Sequence, residues 1–192
     1  MSIGRVIRCA GVRPQPWRNG GGQTRELLVW PSANEWRVRI SVADVDTDGP
    51  FSAYPDVERW FAVVAGAGVD LAIDGTMHHM NPSSPPLCFD GGANIDCRLL
   101  NGPTRDLNLM VGRGTGIMQS MVSGIAWRPD ATQCGLFAVV PGYCMVDDHD
   151  DVAMPGESLL WFDLPPRTLN FRPSAQGGTQ SSGWWLGYRK GD

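Results

Sequence analysis

The sequence predicts an all-β chain made of two related small barrels. Three observations carry that expectation: apolar residues alternate with period two, turn residues interrupt the runs at short intervals, and one half of the chain echoes the other. Between Glu35 and Val42, Trp36, Val38, Ile40 and Val42 share one face, and Arg37, Arg39 and Ser41 share the other. From Asp106 to Val111, Leu107, Leu109 and Val111 oppose Asp106, Asn108 and Met110. Turn signals separate the runs at Asp48-Gly49-Pro50, Asp74-Gly75, Asn101-Gly102-Pro103, Arg113-Gly114 and Pro155-Gly156. No capped amphipathic helix of three turns interrupts this pattern, so helix is expected to be minor.

The internal echo is specific. Phe61-Ala62-Val63-Val64-Ala65-Gly66 recurs as Phe137-Ala138-Val139-Val140-Pro141-Gly142. Leu87-Cys88-Phe89-Asp90 recurs as Leu160-Trp161-Phe162-Asp163, and Leu109–Arg113 is echoed more weakly by Trp185–Arg189. The spacing is too long for a solenoid repeat and implies duplication of a whole small β-domain. The halves are expected to meet between Gly112 and Gly124. That gives a first half of residues 1–115 with the candidate pocket and a second half of residues 116–192, packed as one unit.

Composition narrows the function classes. The net charge is −4 and the basic residues form no stripe, which argues against a nucleic-acid partner. No apolar run approaches the roughly 18 residues of a membrane span, and the N-terminal stretch lacks a signal-peptide core. The cysteines Cys9, Cys88, Cys97, Cys134 and Cys144 are odd in number and form no CxxC pair. Plain buried thiols in a reducing cytoplasm are the expectation.

Trp17-Arg18-Asn19-Gly20-Gly21-Gly22-Gln23-Thr24-Arg25-Glu26 is the most distinctive segment. Its glycines serve either a bulged entry into a strand or a backbone cradle beside a ligand. It is no phosphate-binding P-loop, because the Gly-Lys-Ser/Thr ending is absent. Arg37, Arg39 and Ser41 form either a solvated sheet face or an anion grip, since an arginine fork binds a carboxylate through two hydrogen bonds. Asp106 and Asn108 interrupt an apolar strand, and a buried Asp there needs a partner, with Arg37 or Arg25 as candidates.

Metal and nucleophile patterns are thin. The histidines are His78, His79 and His149. His78 and His79 are adjacent and would point to opposite faces of a strand, and His149 lies in the acidic run Asp147–Asp151. No metal or other cofactor is therefore expected. No GxSxG elbow occurs. Glu26 and Asp106 are the candidates for a general base.

The strings WRNGGGQTREL, WRVRISVADVDTDGPFSAYPDVERWFAVVAGAGVDLAIDG and LLNGPTRDLNLMVGRG resemble the HutD/Ves family of bacterial bicupins, some encoded with histidine-utilisation genes. The resemblance is strong over residues 5 to 115 and one of pattern beyond. It implies a cupin-like jelly-roll double barrel, all β, with two related halves. It also implies a small anionic metabolite as partner, such as formyl- or formimino-glutamate, in a binding or regulatory protein of the cytoplasm that is a monomer or homodimer. A metal-independent cupin isomerase or hydrolase is the alternative. Carried onto this chain, the ligand-binding positions are Asn19, Gly21, Thr24, Arg25, Arg37, Ser41, Arg59, Asp106, Asn108 and Arg113, with Glu26 alongside. The chain departs from the family where Phe-Pro-Gly-x-Asp-Arg becomes Tyr54-Pro55-Asp56-Val57-Glu58-Arg59. It departs again where a pair of arginines becomes Gly112-Arg113, and where Gly-Asp becomes Gly91-Gly92.

Overall fold

The computed structural model describes residues 4–122, 124–175 and 181–191. Among them are eighteen strands, one 3-10 turn at Cys9–Gly11 and no α-helix. The strands run β1 (Arg5–Arg8), β2 (Gln15–Pro16), β3 (Gly22–Trp30), β4 (Val38–Val45), β5 (Gly49–Pro50), β6 (Val57–Ala65), β7 (Val69–Ile73), β8 (Thr76–Met80) and β9 (Leu87–Asp90). They continue as β10 (Ile95–Leu99), β11 (Thr104–Gly112), β12 (Gly116–Ser120), β13 (Gln133–Ala138), β14 (Gly142–Val146), β15 (Asp150–Met154), β16 (Ser158–Phe162), β17 (Leu169–Pro173) and β18 (Gly183–Tyr188).

Two compact units result. One is Arg13–Gly114; the other combines Met1–Val12 with Thr115–Asp192. The division after Gly114 falls within the expected window, but the first twelve residues do not belong with the first half. The reason is pairing: β1 adds to β16, with Arg5 opposite Trp161 and Arg8 opposite Ser158. Nothing in the local pattern of Arg5–Arg8 announces so distant a partner.

In the unit Arg13–Gly114, a six-stranded sheet of order β2-β3-β4-β11-β6-β9 and a four-stranded sheet of order β5-β10-β7-β8 enclose an apolar core. Ala43, Val45, Phe61 and Val63 from the large sheet meet Val69, Leu71, Ile73, Ile95 and Cys97 from the small one. The opposite face of the large sheet, with Val38, Ile40, Val42, Leu107, Leu109 and Val111, is also buried. Alternation therefore sorts β4 and β11 as their sequences predict. Bulges at Leu27 in β3 and Val64 in β6 shift the register and let neighbouring stretches of one strand face different sides.

The other unit repeats the plan, with sheets β1-β16-β13-β18-β12 and β15-β14-β17. The row β9-β6-β11 corresponds to β16-β13-β18, so the three echoed segments begin on equivalent strands. Their residue alignment, however, is one step out. Leu87 faces Phe61 in one unit, while Leu160 faces Leu136 in the other. Phe61 is thus matched by Leu136. Phe137 points to the other face, where it stacks on Trp184 at 6.4 Å. A one-residue slip exchanges the faces of a strand, and a string match cannot detect it.

Candidate functional site

The loop between β2 and β3 forms one wall of a cavity of about 510 Å³ in the unit Arg13–Gly114. This loop is a turn braced by its own backbone: Trp17 N–H donates to the Gly22 carbonyl at 2.9 Å, and Gly20 N–H to the Trp17 carbonyl at 3.1 Å. Gly21 N–H donates to Asn19 Oδ1 at 3.0 Å, and Trp17 Nε1–H to Thr24 Oγ1 at 2.8 Å. Gly20 has a left-handed φ of +73°. A Cβ on Gly22 would lie 2.3 Å from the Asp44 carbonyl oxygen. The triple glycine therefore serves turn geometry and close packing, and it sets Arg18 and Asn19 on the cavity wall.

The opposite wall is the inner face of the large sheet. Arg39, Ser41 and Ala43 of β4, Asn108 and Met110 of β11 and Arg59 of β6 all line the cavity. Cross-strand register aligns them, with Asn108 between Ser41 and Phe61, and Met110 between Arg39 and Arg59. Phe51 and Tyr54 from the segment after β5 close the third side.

Arg59 is the deepest cation, 7% exposed. Its Nε–H donates to Asn108 Oδ1 at 2.8 Å, and its guanidinium lies 4.7 Å over the Phe51 ring. Burial lowers its pKa only to about 10, so it is charged at neutral pH. Because Nε–H is a donor only, the Asn108 oxygen is committed to it and the Asn108 NH2 remains to serve the cavity. Arg39 is matched by a protein carboxylate: Nε–H donates to Glu26 Oε1 at 2.7 Å, and Nη1 reaches the Tyr54 hydroxyl at 3.2 Å. Glu26 also accepts from Gln15 Nε2 at 3.2 Å. No Asp, Glu or His is among the described residues that line the cavity, whereas Arg18, Arg39 and Arg59 are. The electrostatic character of the space is positive.

Asp106 does not line the cavity. It is 1% exposed, deeper in the barrel on the same face of β11 as Asn108. Neither Arg25 nor Arg37 partners it. Thr104 Oγ1 lies 3.3 Å from Oδ2, and Oδ1 has no hydrogen-bond partner. Burial pushes its pKa up to about 8, against smaller lowering effects from Thr104 and Arg59. The carboxyl is therefore mostly protonated at pH 7 and leaves the Arg59 charge largely uncompensated.

Other positions expected in the site lie elsewhere. Arg37 is exposed and precedes β4, one alternation step beyond the cavity, with its N–H bonded to the Trp30 carbonyl at 2.7 Å. Arg39 holds the place predicted for it. Arg25 pairs with Asp44, which Arg105 also binds at 2.6 Å. Arg113 pairs with Asp90 at 2.8 Å, both well exposed. The Gly21 carbonyl accepts from Asp46 and Thr47 N–H groups, so Gly21 braces the loop from behind. Asn19, Thr24, Ser41, Arg59 and Asn108 are brought together as expected. Arg18, Gln15, Phe51 and Tyr54 were not anticipated; the Tyr-Pro departure from the family pattern was the available signal for Tyr54. Asp56, where that pattern has Gly, takes φ +66°.

The donor set does not suit a transition metal. Among the described residues no three His, Cys, Asp or Glu side chains converge. His79 instead contacts Asp70 at 2.5 Å and is exposed. All five cysteines are free; four are buried, and Cys88 is exposed, contrary to expectation.

The second barrel lacks these groups. By strand register Cys134 stands where Arg59 does, Trp185 where Asn108 does, and Gly183 where Asp106 does. Trp127 stacks on Trp185 at 5.4 Å, filling the space with indole.

The HutD family profile matches residues 10–177. The chain belongs to the HutD family. An uncharacterised 21.2 kDa protein from the hutC 3′ region of Pseudomonas putida is 34% identical over 117 residues, 57% of this chain and 59% of that relative. Protein Ves of Citrobacter koseri is 26% identical over 90% of both chains. The structure of HutD from Pseudomonas fluorescens, from a formate condition, is similar with a TM-score of 0.77 and 25% identity, covering 98% of this chain and all of that one. A Bacillus subtilis oxalate decarboxylase variant at 7% identity and TM-score 0.63 shares the cupin fold alone. Among the described residues no helix is long and apolar enough to cross a membrane.

Proposed function

We propose that this HutD-family protein binds a small carboxylate metabolite, of the formyl- or formimino-glutamate class, in the cavity of the unit Arg13–Gly114, and serves histidine utilisation as a metal-free binding or regulatory protein. The observation that carries this reading is Arg59. A cation this buried costs several kcal/mol unless something offsets its charge. Its neighbour Asn108 is neutral, and burial holds Asp106 largely protonated. An anion entering the cavity supplies the missing counterion.

The floor is also selective by chemistry. The terminal Arg59 nitrogens and the Asn108 NH2 are donors, and Ser41, opposite Asn108 across the strands, adds its hydroxyl. A carboxylate offers two acceptor oxygens to such a set. The occurrence of a relative in a hutC region and the HutD name of a similar structure support the histidine-utilisation setting.

Neither candidate base favours catalysis. Glu26 is engaged by Arg39 and Gln15, and Asp106 lies beneath the cavity rather than at its surface. The test is calorimetric titration of N-formylglutamate and of formate into the purified chain. Saturable binding of both anions, with no binding of the corresponding uncharged amides, is the expected outcome. Equal binding of the amides would remove the reading.

A further inference from the structure

Among the described residues, Arg59 and Asp106 are the only buried acidic or basic side chains, and they occupy one barrel. Asp106 faces Val63 across the strands and Arg59 faces Met110, with the Asn108–Phe61 pair between them. Arg59 is therefore flanked by two regions that could match its charge: the cavity on one side and Asp106, by way of Asn108, on the other. No direct bond joins them, because the Arg59 Nε–H is committed to Asn108 and Asp106 reaches only Thr104.

We propose that a bound anion and ionised Asp106 are alternative counterions of Arg59, so that filling the cavity draws a proton onto Asp106. The proposal rests on the anion-site reading and adds its regulation. Two negative charges beside one buried cation leave one of them uncompensated, and a carboxyl with an unpartnered oxygen in an apolar core relieves this by taking up a proton. Reciprocity follows: whatever factor the anion imposes on Asp106 protonation, protonation imposes on anion affinity.

The other groups facing this pair leave the exchange to them. Asp44 on β4 acts on Asp106 but is itself bound by Arg25, Arg105 and Gln23. Cys97 on β10 is a neutral thiol, pushed up to about 12 chiefly by burial. Toward Arg59 stand Tyr54 and Arg39, and Arg39 is matched by Glu26. Arg59 keeps its charge through the range in which Asp106 titrates.

Formate is the probe, titrated calorimetrically into the full chain between about pH 6 and about pH 9, in buffers of differing ionisation enthalpy. Proton uptake should be near zero at about pH 6 and approach one per formate at about pH 9. Affinity should fall toward about tenfold per pH unit above about pH 8. Asp106→Asn should bind formate with a flat pH profile and no proton uptake. The wild-type proton count decides the matter even if that variant folds poorly. Formate binding without proton uptake at about pH 9 overturns this inference alone. Failure of formate to bind at any pH overturns the anion-site reading and this inference together.

Discussion

Arg59 Nε–H donates to Asn108 Oδ1 at 2.8 Å, and that bond fixes which end of the Asn108 amide meets the cavity. The oxygen faces the arginine, so the NH2 faces whatever enters. Asn108 therefore presents a donor to the ligand, which suits an acceptor oxygen such as that of a carboxylate.

Asn108→Asp replaces that amide with a carboxylate of the same shape. It places an internal counterion on Arg59 and repels an entering anion. The variant should fold with wild-type circular dichroism while losing formate binding by at least about 10-fold, one charge-assisted hydrogen bond being worth about 1.5–3 kcal/mol. Calorimetry on wild type and variant checks it; undiminished binding would place the anion elsewhere.

Arg37 and Arg39 separate the exposed from the cavity-lining arginine on one parity of residues. Arg37→Ala should bind formate within about twofold of wild type. Arg39→Ala should weaken binding while also releasing Glu26, which then faces the anion from the wall. Equal losses in both variants would contradict this placement.

Asp106 makes stability depend on pH. Its folded pKa of about 8 lies above its usual value of 3.8, so the folded chain retains a proton that the unfolded chain releases. This contribution is fully present below about pH 4 and is lost as pH rises through about 8, with a slope of at most about 1.4 kcal/mol per pH unit. Urea midpoints should therefore fall less between about pH 5 and pH 8 in Asp106→Asn than in wild type. Parallel pH profiles would mean that Asp106 is ionised throughout.

Gly22 packs against backbone. In Gly22→Ala the new methyl meets the Asp44 carbonyl at 2.3 Å, and neither strand can retreat without loosening the Gly22–Val45 pairing. A loss of about 1–3 kcal/mol is expected in chemical denaturation, as for other overpacked sites. An unchanged midpoint would show that the β3 entry yields easily.

Alternation made much of this legible in the sequence. It placed Ser41 and Asn108 on inward faces because Val38, Ile40, Leu107 and Leu109 demanded the opposite one. It could not tell where β4 begins, and so could not choose between Arg37 and Arg39. Depth was equally hidden: Asp106 and Asn108 share a face, yet only Asn108 meets the cavity. The β1–β16 pairing and the one-residue slip between the echoed strands depend on contacts far apart in sequence, which local pattern does not encode.

The central claim is that buried Arg59 holds an anion. Titrating formate into wild type and Arg59→Gln near pH 6.5 tests it most directly, because glutamine keeps the stem and a donor while removing the charge. The account predicts saturable binding to wild type and a loss of about 10- to 150-fold in the folded variant. Equal affinity in the two proteins would contradict it.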